Sequence, residues 1–129
     1  MAVHYESQFQ RAVVKYLRLR NIFCFSVPNG VHLTTIQSKI AVAEGLLHGV
    51  SDLIVVTPNK VTFAEIKNPN GKGRQSDNQK EFQKKVESLG FEYTIWDNWD
   101  KVEQFVKGVK NDNSVFVYLC IYMSLTTPP

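Results

Sequence analysis

The sequence predicts an α/β protein, one central mixed β-sheet flanked by helices, in the order α-β-α-β-β-α-β-α. Two β-branched-rich runs, residues 52–57 and 61–67, sit mid-chain with Pro58-Asn59 between them, the pattern of a hairpin. Stretches with apolar residues at helical spacing precede and follow that pair. At 129 residues, with no internal repeat, low-complexity segment or linker, the chain fits one domain. That domain is expected over residues 1–110, with residues 111–129 as a tail.

The first helix is expected over residues 4–20. Tyr5, Phe9, Ala12, Val13, Tyr16 and Leu17 form its apolar stripe, and Arg11, Lys15 and Arg18 mark the other face. Residues 22–27 read as a strand stopped by Pro28-Asn29-Gly30. A second helix, from residue 34 or 35 to residue 44, would turn Ile36, Ile40 and Ala43 inward and stop at Gly45. Beyond the hairpin, residues 68–75 form a basic loop. Ser76 opens a helix with Phe82, Val86 and Leu89 on one face and Gly90 at its end. Residues 91–96 give a further strand. Asp97 or Asn98 caps a last helix carrying Trp99, Val102, Phe105, Val106 and Val109. The apolar run 115–123 reads as a final strand, an addition to the sheet or a contact between two copies.

The balance of charge is mildly basic, +3 with a pI near 8.9, which permits a nucleic-acid partner without demanding one. Cys24 and Cys120 belong to no CxxC motif and sit among apolar neighbours, so both are expected as buried, reduced thiols. No secretory signal is visible, and run 115–123 is far short of the roughly 20 residues a bilayer span needs. A cytoplasmic protein without a membrane partner is the expectation. His4, His32 and His48 lack a zinc-ligand spacing. Gly71-Lys72-Gly73-Arg74 does not have P-loop spacing, so no nucleotide cofactor is expected.

The chemistry concentrates on the hairpin. Strand alternation puts Val61, Phe63, Glu65 and Lys67 on one face and Thr62, Ala64 and Ile66 on the other. A two-residue turn at Pro58-Asn59 sets Thr57 opposite Lys60, Val56 opposite Val61 and, counting outward, Asp52 opposite Glu65. A four-residue loop keeps that register; a three-residue loop shifts it by one. Two carboxylates opposed at about 5 Å between Cβ atoms repel each other. A hard divalent cation between them converts the repulsion into a binding site, and Mg²⁺ takes such oxygen ligands while keeping several waters. Lys67, on the same face, reaches a phosphate oxygen or a water beside it. Glu-x-Lys alone is weak, since it arises by chance in about a third of chains of this length, and a surface ion pair explains Glu65 and Lys67 equally well. What strengthens the signal is the apolar setting of Asp52 and Glu65, where a charge is costly without a partner.

Asp52, then twelve residues, then Glu65-Ile66-Lys67 resembles the PD-(D/E)xK nuclease superfamily. More narrowly, the chain resembles the VRR-NUC (virus-type replication-repair nuclease) family over about residues 4–98. The resemblance is carried by Glu6-Ser7-Gln8-Phe9-Gln10, Asn29-Gly30, Gly49-Val50-Ser51-Asp52-Leu53, Phe63-Ala64-Glu65-Ile66-Lys67, the basic loop, and Gln79 ahead of an amphipathic helix. Ser51 stands where the superfamily motif has Pro. The resemblance implies a restriction-endonuclease-like core and a Mg²⁺-dependent endodeoxyribonuclease, with Mn²⁺ able to substitute. It implies Asp52, Glu65 and the backbone carbonyl of Ile66 as metal ligands, and Glu6 as a further ligand, directly or through water. Lys67 would orient or deprotonate the attacking water, and Gln79 would line the site. Glu6 is also what a helix dipole favours in a first turn, and Ser76-x-x-Gln79 is also a capping box; for Gln79 the two roles are compatible.

Lys72, Arg74, Lys80, Asn29 and His32 are the candidate DNA contacts, although Lys80, Lys84 and Lys85 also suit a solvated helix face and His32 a plain loop residue. The family resemblance implies branched DNA as substrate, a four-way (Holliday) junction first, in DNA repair and of phage or prophage origin. Two symmetric nicks would call for a homodimer, joined through run 115–123 or the loop at 28–33. The alternatives are a flap or fork nuclease acting as a monomer, a nuclease acting on RNA or of restriction type, and a non-catalytic nucleic-acid-binding module.

Overall fold

The computed structural model describes residues 4–28 and 32–126, with residues 110–118 of the last helix described by their backbone alone. Asn29 and Gly30 lie outside the described residues. The elements run α1 (Tyr5–Leu19), β1 (Phe23–Ser26), α2 (Thr35–Ala43), β2 (Leu53–Thr57), β3 (Lys60–Ile66), α3 (Asp77–Ser88), β4 (Glu92–Trp96) and α4 (Trp99–Thr126). The class is α/β, and the sheet is mixed, in the order β1-β2-β3-β4. The first three strands are antiparallel neighbours. β4 runs parallel to β3, because the chain crosses over through α3 between them.

Local chemistry fixes the ends. Thr34 and Ser76 each open a helix with a capping box, closed by Gln37 and Gln79 respectively. Asn98, not Asp97, caps α4: its Oδ1 accepts from Lys101 N at 3.0 Å. Asn59 takes φ 60°, a left-handed conformation that completes the two-residue turn, so Thr57 pairs with Lys60 and Val56 with Val61.

One sheet face carries Cys24, Leu53, Val55, Thr62, Ala64, Ile66 and Trp96, all buried against Phe9, Val13 and Leu17 of α1 and Val102, Val106 and Val109 of α4. Trp99 of α4 meets the rings of Phe9 and Tyr16 at 5.4 Å each. The opposite face receives α3: Phe82 packs edge-on to Phe63 at 5.6 Å and near Tyr93 at 6.2 Å. Truncating a fully buried residue such as Leu17 to Ala costs about 2–5 kcal/mol.

Four expectations are corrected. The run 115–123 is helical, not a strand, since α4 continues through Thr126. An unbroken apolar run does not separate strand from helix, and no Gly or Pro stands between residues 109 and 123 to stop the helix. Ile36, Ile40 and Ala43 do not turn inward: α2 buries no residue, so its capping box rather than a core face supports it. Tyr5, Ala12 and Leu89 are exposed, because Tyr5 lies a turn before the buried stripe, Ala12 beside it, and Leu89 at the cap. Cys120 is exposed, while Cys24 is buried and free as expected. No described helix is long and apolar enough to cross a membrane.

Candidate active site

The paired hairpin ends at Leu53 opposite Ala64, and continuing that register sets Asp52 opposite Glu65. Asp52 leaves the strand there, but its carboxylate stays on the sheet, accepting the Ile66 amide proton at Oδ2 over 2.8 Å. β1 braces it from the other side, through Val27 N donating to Asp52 O at 3.0 Å. Glu65 is only 1% exposed, under α3.

Lys67 follows on the same face, 7% exposed. Its ammonium lies 3.1 Å from Glu65 Oε1 and donates to Gln79 Oε1 at 3.0 Å. Gln79 Nε2 donates to the same Glu65 oxygen at 2.6 Å. Gln79 Oε1 also accepts from Ser76 N at 2.9 Å, so one side chain closes the α3 cap and grips the site. The helix cap and the contacts with Lys67 and Glu65 therefore coexist in one side chain.

Two glycines make this closeness possible. Gly49, at φ +90°, sits so tightly against the Asn78 backbone that a Cβ would overlap the Asn78 carbonyl. That contact ties the loop delivering Asp52 to the helix delivering Gln79. At Gly73 a Cβ would stand 2.9 Å from Lys67 Cβ, so the basic loop lies on the lysine's stem.

The electrostatics follow from the burial. Burial, and then the negative charge of Asp52, push the Glu65 carboxyl up to about 7, with Lys67 opposing the rise. Burial also raises Asp52, opposed by the Ile66 amide and Lys67. The two carboxyl groups therefore act on each other's ionisation. Glu65 Oε2 is buried and has no hydrogen-bond partner among the described residues. A buried acceptor left this way costs about 1–3 kcal/mol. Two hard carboxylates, one with an orphaned oxygen, suit a divalent cation such as Mg²⁺, which commonly takes one or two protein carboxylates and fills its shell with water and phosphate.

Glu6 is exposed in the first turn of α1, and among the described residues no group of three His, Cys, Asp or Glu is placed to hold one ion. The structure thus joins Asp52, Glu65, Lys67 and Gln79 around the Ile66 backbone and does not add Glu6. Lys72, Arg74, Lys80 and His32 are exposed; Lys72 and Arg74 flank Gly73 beside the site, and Lys80 leans toward Asp77 at 3.8 Å.

Sequence reasoning passed over Tyr93 and Gln75. Burial, and then Glu65, push the Tyr93 phenol up to about 12. Its hydroxyl accepts from Gln75 Nε2 at 3.2 Å, and Gln75 also donates to Gln83 at 2.9 Å. Alternation along β4 placed Tyr93 on a face with Phe91 and Ile95, but only the parallel pairing of Phe63 with Tyr93 says which face.

Fold and cluster together define an α/β protein with two carboxylates and one amine gathered at one end of a hairpin, Glu65 and Lys67 buried and Asp52 partly so. No family model matches the chain, and no curated protein matches it either.

Proposed function

We propose that this chain is a Mg²⁺-dependent endodeoxyribonuclease with a restriction-endonuclease-like core of the PD-(D/E)xK, VRR-NUC kind. The observation that carries the reading is the Asp52–Glu65 pair meeting across the hairpin register, with Glu65 Oε2 orphaned and the Lys67 ammonium 3.1 Å from its neighbouring oxygen. Asp52, Glu65 and the Ile66 carbonyl would hold the metal. When bound, a divalent cation supplies positive charge to a phosphate oxygen and acidity to a nearby water.

The chain's own groups do the rest. An ammonium has three donors, and Glu65 and Gln79 occupy two of those on Lys67. The third is left for a water or a phosphoryl oxygen, where it offsets negative charge growing in the transition state. Gln79 holds both Lys67 and Glu65, fixing amine and carboxylate relative to each other. Water adds to phosphorus, one P–O ester bond breaks, and the products are a phosphomonoester and a hydroxyl end.

Branched DNA, first a four-way junction, is the substrate this reading favours. Two symmetric nicks call for two copies, and Leu119, Ile121, Tyr122, Met123 and Leu125, exposed on the end of α4, offer an apolar contact for them.

The test is cleavage of linear duplex, single strand, flap and four-way junction, each with Mg²⁺, Mn²⁺ or chelator, by wild type and by Lys67→Met. Metal-dependent cutting by wild type and none by Lys67→Met is expected. Equal cutting by the variant would refute the assignment; binding without cutting would leave a nucleic-acid-binding module. Preference for a flap by a particle monomeric on light scattering would replace the junction with a flap.

A further inference from the structure

Away from the carboxylates, α1 and the edge strand β1 enclose an open groove of about 690 Å³. Ser7, Arg11, Val14, Lys15 and Arg18 of α1 form one wall, and Ser26 of β1 the other side. Arg11, Lys15 and Arg18 are exposed, and among the described residues none lies within ion-pair range of a carboxylate. Such cations on a convex helix face are ordinary solvated charge; here they line a concavity, which concentrates their field. At 1.5 Å per residue, Arg11 to Arg18 spans about 10.5 Å of helix axis, so the three cations are set out along the groove rather than gathered at one point. Its Ser26 edge adjoins the backbone that carries Asp52, since Ser26 pairs with Leu53 and Val27 N bonds Asp52 O at 3.0 Å, while the Glu65 and Lys67 side chains lie on the other face of the sheet.

We propose that this groove binds the sugar-phosphate backbone of a DNA arm leaving the cleavage site, with Arg11, Lys15 and Arg18 on successive phosphates. The inference rests on the nuclease reading for the position of the cut bond, but its affinity does not depend on cutting. Ser7 and Ser26 supply hydroxyl donors to the same oxygens.

The test is fluorescence anisotropy with labelled duplex and single-stranded oligonucleotides, in chelator, from about 50 to 200 mM salt. Wild type is compared with Arg11→Gln/Lys15→Gln and with a charge-matched Lys39→Gln/Lys107→Gln control; Gln is a good helix former, and circular dichroism checks the fold. The groove variant is expected to bind about tenfold or more weakly, with the slope of log K against log salt reduced by about 2, one per lost phosphate contact. The control should match wild type. A groove variant with wild-type affinity and slope would overturn the proposal, as would wild type binding phosphatidylserine vesicles but not DNA. Cleavage lost in Lys67→Met with unchanged DNA binding in the groove variant would retain the nuclease and remove the groove. Weakened binding by the groove variant of a wild type that never cuts would do the reverse.

Discussion

The Asp52 carboxylate accepts the Ile66 amide proton at 2.8 Å, at the one backbone position that lies between Glu65 and Lys67. This bond holds an acid that has already left its strand against the strand carrying the other acid and the amine. Asn at position 52 keeps an acceptor for that amide but loses the charge. Asp52→Asn is therefore expected to fold, to be at least as stable as wild type in chelator near neutral pH, and to cut no DNA. Thermal melting and a cleavage assay check both halves; a variant that cuts at the wild-type rate removes Asp52 from the site.

Glu65 sets a pH dependence. Its carboxyl is pushed up to about 7 in the folded protein, from 4.5 in an open chain, by burial and then by Asp52. The folded state therefore holds that proton more tightly than the unfolded chain. The contribution to stability is full below 4.5 and is lost as pH rises through about 7. The raised Asp52 carboxyl acts in the same direction. In the proposed nuclease, protons and a divalent cation would compete for these oxygens, so Mg²⁺ should raise the Tm by several degrees at about pH 8 and by little at about pH 5. Equal Mg²⁺ effects at both pH values would count against binding at Glu65.

Gln79 joins two functions that substitution can separate. Gln79→Ala loses the side-chain half of the capping box, about 1 kcal/mol, while Ser76 Oγ still accepts the amide of residue 79; it also loses the grip on Lys67 and Glu65, so cleavage should fall by about 10–100-fold. Gln79→Glu restores a capping acceptor but sets a carboxylate against Glu65 Oε1, so cleavage should fall at least as far. Chemical denaturation and single-turnover rates distinguish the effects. If Gln79→Glu recovers the rate along with the cap, the side chain acts only on the helix.

Gly49 is the steric hinge of the site. Gly49→Ala meets both a left-handed backbone and the Asn78 carbonyl, and should destabilise by more than about 2 kcal/mol and displace Asp52. Gly45, at φ +109°, has open space around a Cβ, so Gly45→Ala should cost only about 1–2 kcal/mol of backbone strain and keep its activity. Urea unfolding and cleavage rates of the two variants check the contrast.

The hairpin was legible because its information is local. Pro58-Asn59 marks the turn, the pairing of Thr57 with Lys60 shows it to be a two-residue one, and alternation then carries the register outward to Asp52 and Glu65. The Ser76–Gln79 cap was legible for the same reason. That the Gln79 amide also meets Lys67 depends on α3 crossing over the sheet, which no short pattern encodes. The parallel pairing that brings Tyr93 beside Phe63 is equally non-local. Elsewhere the periodicity misled: Ile36 and Ile40 have helical spacing, yet among the described residues α2 finds no surface that buries them. The run 115–123 has the composition of a strand but continues a helix already nucleated and capped by Asn98.

Calorimetric titration of Mg²⁺ into metal-free protein, in parallel with Glu65→Gln, reaches the centre of the account without needing the right DNA. Saturable uptake by the wild type, weakened by about tenfold or more in the variant, is the predicted result. No uptake by wild type, or the same uptake by both, would contradict it.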